Sequence, residues 1–291
     1  MSDEGIIIRQ ISGFYDVLSD ENVIQCKARG IFRKEKIIPM VGDKVTIDRD
    51  EKIIISISNR KNQFKRPLVS NIEHLGIVIA AKDPVPDHLL IDKLIVSALI
   101  NNITPSLVIN KIDLAPKEES ERFENEYKNT GYRIFKISCK EQTGINDLKE
   151  FYSDGIVCLA GQSGVGKSSL INLLCSDTSQ QVGELSIRNA TGKHTTTHAQ
   201  IVPLPTGVML IDTPGFSSID VEDIAPQRLH YYYAEFDPYL GHCRFDDCMH
   251  DFEPKCVIKK AVSDGKVSST RYERYVSILR SLKDKKERSF R

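Results

Sequence analysis

Apolar and polar side chains alternate with a period of two through much of residues 1 to 66. After the Gly42-Asp43 turn, Val45 and Ile47 point to one side; from Lys52 to Ser58, Ile53, Ile55 and Ile57 face one way while Ile54, Ser56 and Ser58 face the other. That period belongs to half-buried strands. Four or five such strands, separated by glycine and charged turns, predict a small closed or nearly closed barrel, because closure removes the exposed edges of so short a sheet. Oligonucleotide-binding barrels have this size.

From residue 67 the pattern changes to short apolar runs alternating with helical spacing. Leu75 to Ala81 reads as a strand, and Ile91, Leu94, Ile95, Ala98 and Leu99 fall on one face of a helix. Pro105 to Ile109 is the next strand, followed by a helix from Lys117 to Asn129, a strand around Tyr132 to Ile137 and a helix from Ile145. Gly155 to Ala160 reads as a buried strand, Ser168 to Cys175 as a helix and Val208 to Ile211 as another strand. Such alternation predicts an α/β domain with a mostly parallel sheet over residues 67–222. Residues 223–291 lose that rhythm, and Val257 to Lys286 reads as basic helices containing Tyr272 and Tyr275. A multidomain α/β chain is expected: a barrel over 1–66, the α/β domain over 67–222 and a helical C-terminal domain over 223–291.

The 291 residues suffice for two or three separate cores. Lys and Arg number 40 against 40 Asp and Glu, so a general attraction to nucleic acid is not implied, but the charges are unevenly placed. Residues 217 to 254 carry nine acidic and two basic side chains, whereas 255 to 291 carry twelve basic and four acidic. A cationic helical end of that kind suits RNA phosphates. Within the barrel, Lys27, Arg29, Arg33, Lys34 and Lys36 surround Phe32, and Arg60, Lys61, Lys65 and Arg66 surround Phe64. Cations can hold phosphates while aromatic rings stack on bases; a solvated basic face over core phenylalanines accounts for the same composition. The acidic start, Met1 to Gly5, is unlike a signal peptide, and no apolar run approaches membrane-spanning length. A soluble, cytosolic, monomeric protein with no membrane partner is expected. Of seven cysteines only Cys243, Cys248 and Cys256 cluster, so Cys26, Cys139, Cys158 and Cys175 are expected to be reduced thiols.

Gly161-Gln162-Ser163-Gly164-Val165-Gly166-Lys167-Ser168, followed by Ser169, lies between a strand and a helix, the setting that a phosphate loop requires. Its glycines let successive N–H groups turn toward phosphate oxygens at a helix N-terminus. Lys167 then bridges the β- and γ-phosphates, and the Ser168 hydroxyl ligates Mg²⁺. Asn110-Lys111-Ile112-Asp113 addresses the base. The Asp113 carboxylate can accept the N1–H and 2-amino hydrogens of guanine, whereas adenine has an unprotonated N1 and no 2-amino group. Alone, Asp113 reads equally as a helix cap; beside a phosphate loop the tetrapeptide becomes specific for GTP. Asn110 would brace neighbouring loops and the Lys111 stem would lie over the purine. Ser138-Cys139-Lys140 fits the companion loop whose backbone N–H meets the guanine carbonyl, with Cys139 where alanine is usual.

Asp212-Thr213-Pro214-Gly215 ends a strand, where Asp212 can hold Mg²⁺ through water and the Gly215 N–H can meet the γ-phosphate. Phe216 follows, where many GTPases carry a water-orienting glutamine. Gly192-Lys193-His194-Thr195-Thr196-Thr197-His198 is the remaining source of such a group. Thr196 is the candidate Mg²⁺ ligand, although spacing does not choose among the three threonines. His194 is the candidate for positioning water, the alternative being an exposed histidine with no catalytic part. These elements stand in rotated order, guanine loop before phosphate loop.

Cys243-x4-Cys248-x-His250-x5-Cys256 offers three thiolates and an imidazole, a full tetrahedral set for one structural Zn²⁺ with no position left for catalytic water. His242 could replace His250, at a harder geometry beside Cys243. The polar, core-poor flanks suit a metal that substitutes for hydrophobic burial.

Taken in this order, from a β-barrel through guanine loop, phosphate loop, His-Thr-Thr-Thr and Asp-Thr-Pro-Gly to the Cys/His cluster, the chain resembles the ribosome small-subunit-dependent GTPase A (RsgA) family. Arg60-Lys61-Asn62 and Arg66-Pro67 at the barrel's exit fit the same resemblance. It implies an oligonucleotide-binding β-barrel, a circularly permuted P-loop GTPase domain and a zinc-binding domain. It further implies late maturation of the small ribosomal subunit through its rRNA, with slow GTP hydrolysis that the subunit stimulates. Two other readings suit the residues: an RNA chaperone holding nucleotide as a structural ligand, and a GTPase acting on the large subunit.

Overall fold

The computed structural model describes residues 2–64, 67–175, 199–204, 206–212, 221 and 224–289, with backbone alone at Asp212 and Ser289. Two compact units emerge, the first comprising Met1–Gly76, Gly144–Ala160 and Gly166–Ser217, the second Ile77–Thr143, Gly161–Val165 and Ser218–Arg291. Among the described residues no helix is long and apolar enough to cross a membrane.

The first unit begins with five strands, β1 (Ser2–Ile11), β2 (Phe14–Ser19), β3 (Asn22–Ala28), β4 (Lys44–Asp48) and β5 (Ile53–Ile57). Antiparallel pairs β1–β2, β2–β3, β4–β5 and β1–β4, with the parallel pair β3–β5, close them into a barrel. Ile7, Val17, Cys26, Val45, Ile47 and Ile54 fill its interior. Strict alternation misplaces one face of β5. Ile47 pairs with Ile54, but Val45 pairs with Ile57 because the register shifts between Thr46 and Ile47. A bulge at Ile55 therefore turns Ile54 into the barrel core, where the period alone put Ile53, Ile55 and Ile57 on the common face.

The short helix α1 (Gly30–Lys34) lies between β3 and β4. After β5, Arg60 folds back on the barrel. Its Nε and one terminal nitrogen donate to the two oxygens of Asp43 at 2.7 and 2.8 Å, and Asp43 is fully buried. Ser70 Oγ and the Met40 N–H donate to the same carboxylate. Gly42 has φ +95°, and a Cβ there would stand 2.2 Å from the Ser70 carbonyl oxygen, so glycine is required. Ser70 belongs to the hairpin β6 (Gln63–Phe64) and β7 (Val69–Ser70), which Asn62 braces by exchanging two hydrogen bonds with the Ile72 backbone. Arg60 is thus a structural cation, and the buried Phe32 and Phe64 are core residues that no base can stack on. Of the expected cationic and aromatic surface, the exposed cations near α1 and the largely exposed Lys61 remain, while Lys65 and Arg66 lie outside the described residues. The ring beside the cations near α1 is Phe14, which lies under Lys27 Nζ at 5.2 Å.

The first unit also holds β11 (Ile156–Ala160), buried throughout, with β12 (Gln200–Pro203) and β13 (Met209–Asp212). β11 and β13 pair in parallel, β12 and β13 antiparallel, and Gln200 bridges to Arg9 of β1. Two helices, α4 (Ile145–Phe151) and α5 (Lys167–Cys175), flank β11 in sequence.

In the second unit β8 (His74–Ala80, from Ile77 onward), β9 (Thr104–Asn110) and β10 (Arg133–Lys136) form adjacent strands, β9 and β10 parallel. α2 (His88–Ile100) starts at Asp87, whose carboxylate caps it by accepting the Leu90 N–H at 3.0 Å. α3 (Lys117–Tyr127) is two residues shorter than its pattern predicts; a 3-10 turn over Lys128–Thr130 and Gly131 at φ +75° end it. Two 3-10 helices (Pro226–Tyr232 and Ala234–Tyr239) precede α6 (Val257–Ser263) and α7 (Ser269–Ser289). This part is richer in core than its polar sequence suggests. Leu229, Tyr233, Phe236, Ile258, Tyr275 and Leu279 are completely buried together. Tyr272 and Tyr275 donate to the carbonyls of His250 and Met249 at 2.7 Å each; Tyr275 is fully buried, which removes it from an RNA-facing surface, while Tyr272 is half-buried.

Candidate functional site

Asn110 ends β9 with its side chain buried. Its Nδ2 donates to the Val165 carbonyl at 2.9 Å, and its Oδ1 accepts the Cys139 N–H at 3.1 Å. One carboxamide therefore holds three segments together, the guanine-loop motif, the phosphate-loop motif and the Ser138-Cys139-Lys140 motif. Lys111 takes the left-handed backbone conformation, φ +63°, and its ammonium donates to the Asp83 carbonyl at 2.6 Å. The turn Ile112–Leu114 follows. Asp113 sits in it with one carboxylate oxygen accepting the Ser138 hydroxyl at 2.7 Å, while the Ser138 oxygen accepts the Glu141 N–H at 3.0 Å. Ser138 thus fixes the orientation of a carboxylate that is otherwise partly open. Burial pushes the Cys139 thiol up, against the opposing effect of Asn110, so the thiol stays neutral.

Along the phosphate-loop motif the backbone has φ +138°, +82° and +99° at Gly161, Gly164 and Gly166. At Gly161 a Cβ would come within 2.2 Å of the Val78 carbonyl oxygen, so both the conformation and the space demand glycine. Gln162 Oε1 accepts the Asp87 N–H at 2.8 Å, linking the motif to the start of α2. α5 begins at Lys167, and its Leu170 N–H donates to Gly166, so Ser168 and Ser169 occupy the first helical turn. A helix start presents backbone N–H groups that lie outside the helical ladder, the arrangement that accepts anions. β13 ends at Asp212, paired with Gln200. Thr196 and His194, with Gly215 and the Asp212 side chain, lie outside the described residues.

Cys243, Cys248, His250 and Cys256 come together, with all four candidate ligand atoms within 4.8 Å of one another. Cys243 Sγ stands 3.9 Å from Cys256 Sγ, and His250 Nδ1 lies 3.6 and 3.4 Å from those two sulfurs. A tetrahedron with metal–sulfur bonds of about 2.3 Å has edges of about 3.8 Å, so the spacing fits Zn²⁺. His250, not His242, completes the set. Burial, then the neighbouring His230, lowers His250 to about 4, leaving the neutral imidazole that a metal needs. Burial pushes the Cys248 thiol up to about 12, a bias that a divalent cation overrides because a coordinated thiol loses its proton. The Val257 N–H points to Cys243 Sγ at 3.4 Å, a donor suited to a thiolate.

Sequence reasoning did not find the contacts of α7. Arg271, buried, donates to Glu235 and to Asp92 at 2.5 Å each, and its guanidinium lies over the rings of Tyr127 and Tyr233. Arg274 donates to the other Asp92 oxygen at 2.5 Å and to Glu126 at 2.7 Å. The polar residues on α2 and α7 give only a faint sign of this, a single acid within the apolar run of α2 and two arginines three apart.

Comparison with known proteins finds the RsgA GTPase family model over residues 52–222 and the RsgA N-terminal domain over 4–53. A protein of Caldanaerobacter subterraneus subsp. tengcongensis described as small ribosomal subunit biogenesis GTPase RsgA is 41% identical, covering 99% of this chain and 98% of that protein. One of the same description from Halalkalibacterium halodurans is 38% identical over 99% of each. Among solved structures, YjeQ from Thermotoga maritima superposes with a TM-score of 0.83 at 35% identity, covering 97% of this chain and 99% of that one. YloQ, a circularly permuted GTPase, gives 0.79 at 33% identity over 98% and 96%.

Proposed function

We infer that this chain, which belongs to the RsgA GTPase family and so hydrolyses GTP to GDP and phosphate, serves as a late assembly factor of the small ribosomal subunit. The observation that carries the nucleotide part is the double bond of Asn110, which gathers the three candidate recognition loops in one place. In the proposed arrangement Asp113 reads the guanine edge, held by Ser138, and the Cys139 N–H meets the guanine carbonyl while Lys111 lies over the ring. Gly161 to Gly166 cradle the phosphates with backbone N–H groups, assisted by Lys167. Mg²⁺, which GTP hydrolysis generally requires, would be held by Ser168 and Thr196 and through water by Asp212. Bound there it neutralises charge developing on the phosphates. His194 orients the attacking water in place of the glutamine that Phe216 displaces. His194→Ala should lower turnover with nucleotide affinity unchanged, and an undiminished rate removes that role.

The proposed organisation is a barrel over 1–66, a circularly permuted GTPase domain over 67–222 and a zinc domain over 223–291. The exposed cations near α1 and on α7 supply the rRNA-facing charge, and Cys243, Cys248, His250 and Cys256 hold one structural Zn²⁺. GTP orders the segment around Thr195 to Thr197 and the segment after Asp212; the second leads straight into the zinc domain, so hydrolysis loosens the grip on rRNA. The protein works as a monomer in the cytoplasm. Co-sedimentation with separated ribosomal subunits tests this: the non-hydrolysable GTP analogue should drive the chain onto the small subunit and GDP should release it. Preference for the large subunit, or equal affinity in both nucleotide states, contradicts it.

A further inference from the structure

The second unit contains a continuous connection between the phosphate-loop motif and the C-terminal helix that does not pass through the segments flanking Phe216. It starts at Gln162, whose Oε1 accepts the N–H of Asp87 at 2.8 Å. Asp87 is the N-cap of α2, and its own carboxylate secures the first turn through Leu90. Asp92 is five residues further on, about 7.5 Å along the helix axis. Its two carboxylate oxygens are divided between two arginines of α7, Oδ1 taking Arg271 and Oδ2 taking Arg274 at 2.5 Å each. Both arginines are restrained by further partners. Arg271 is locked by Glu235 and sandwiched by Tyr127 and Tyr233, and Arg274 by Glu126.

These bonds differ from ordinary surface ion pairs in consequence. Asp92 and Arg271 are each 1% exposed, so neither can trade its partner for water, and a shift of α7 must carry α2 with it or leave a buried charge unpaired. Leu90, Ile91, Leu94 and Ile95 bury the inner face of α2, which leaves the helix to move as one body. A side chain of the phosphate-loop motif, Gln162, meets the start of α2. Gln162 places a carboxamide oxygen at one of the N–H groups that the start of the helix leaves outside its own ladder.

We propose that Gln162 is a positioning residue that ties the phosphate loop to α2, so that the ion-paired helix α7 governs how fast nucleotide is released. This rests on the reading of Gly161 to Ser168 as the phosphate site. It adds a route by which RNA engaging the basic end of α7 acts on bound nucleotide.

The test is the dissociation rate of a fluorescent GDP from the full-length chain, measured by displacement with excess GDP. Gln162→Leu keeps the size of the side chain and removes the acceptor; it should speed release about three- to tenfold, the worth of one hydrogen bond. Arg274→Ala, at the α7 end of the connection, should speed release about threefold in the native background and have almost no further effect in the Gln162→Leu background, because the two act through one connection. Arg274→Lys, which keeps the charge and loses one of the two bonds, replaces Arg274→Ala if that variant does not fold. Unchanged release from Gln162→Leu, or effects of the two substitutions that simply multiply, overturns the connection. A native chain that binds no GDP at all instead overturns the reading of the phosphate site.

Discussion

Asn110 Nδ2 donates to the carbonyl of Val165 at 2.9 Å, across 55 positions of the chain. Asn110 is buried and joins loops, whereas Asp113 of the same tetrapeptide is partly open, as the proposed reading of the base requires.

Substitution separates those roles. Asp113→Ala should weaken GTP by about 10²-fold or more and leave the weak affinity for ATP unchanged, since it deletes the group that distinguishes the bases. Asn110→Ala should weaken both nucleotides by a similar factor of about ten, because it loosens the loops and leaves the Cys139 N–H and the Val165 carbonyl without their partner. Equilibrium titration with fluorescent GTP and ATP reads both. Equal losses of GTP and ATP from Asp113→Ala would contradict its role as the base reader.

Arg60 and Lys61 are neighbours with opposite fates. Arg60 pairs with the fully buried Asp43, whereas the Lys61 side chain is 67% exposed while it meets Glu73. Arg60→Ala should cost about 3–5 kcal/mol in urea unfolding, because it strands a buried carboxylate. Lys61→Ala should cost about 0–1 kcal/mol. Equal, small losses would show that Arg60 is a surface cation after all.

This pair also marks the limit of what the chain alone makes legible. The loops at Asn110, Gly161 and Ser138 are readable because their chemistry demands particular residue types at fixed short spacing. Barrel closure is readable from alternation, since every strand buries one face. The buried face of β5 is not, because the bulge at Ile55 is a matter of pairing with β4 that a period of two cannot encode. Arg60 and Phe64 look like an RNA surface by type, and only the position of Asp43 makes one structural and the fold around them makes the other core. The contact of Asp92 with Arg271 spans 179 residues, and no local pattern reports it. The choice of His250 over His242 needs a distance.

The metal site predicts composition and stability together. The purified chain should contain about one equivalent of zinc, and Cys256→Ser should lower it markedly, since three remaining ligands do not close the tetrahedron. Removing the metal with a strong chelator should lower the unfolding temperature, and adding zinc back should restore it. Zinc well below one equivalent in the native chain contradicts the site.

Glu126 gives stability a defined acid limb. Burial acts to raise its pKa, but hydrogen bonds from His88 and Thr270 and the charge of Arg274 outweigh that and hold it at about 2, below its ordinary 4.5. A depressed carboxylate contributes fully above its unfolded value, and the contribution fades as pH falls from 4.5 to about 2. Denaturant unfolding should therefore find Glu126→Gln less stable than the native chain at pH 6, with the gap closing as pH falls through that window. A gap independent of pH would show that the charge of Glu126 does not matter.

The chain is a GTPase of the RsgA family, and phosphate release measured with and without purified subunits shows whether the proposed response of its chemistry to the small ribosomal subunit holds. Release should be slow from the chain alone, many-fold faster when small subunits are added, and little changed by large subunits. Release that small subunits leave unchanged would contradict it and favour a passive nucleotide-binding RNA chaperone.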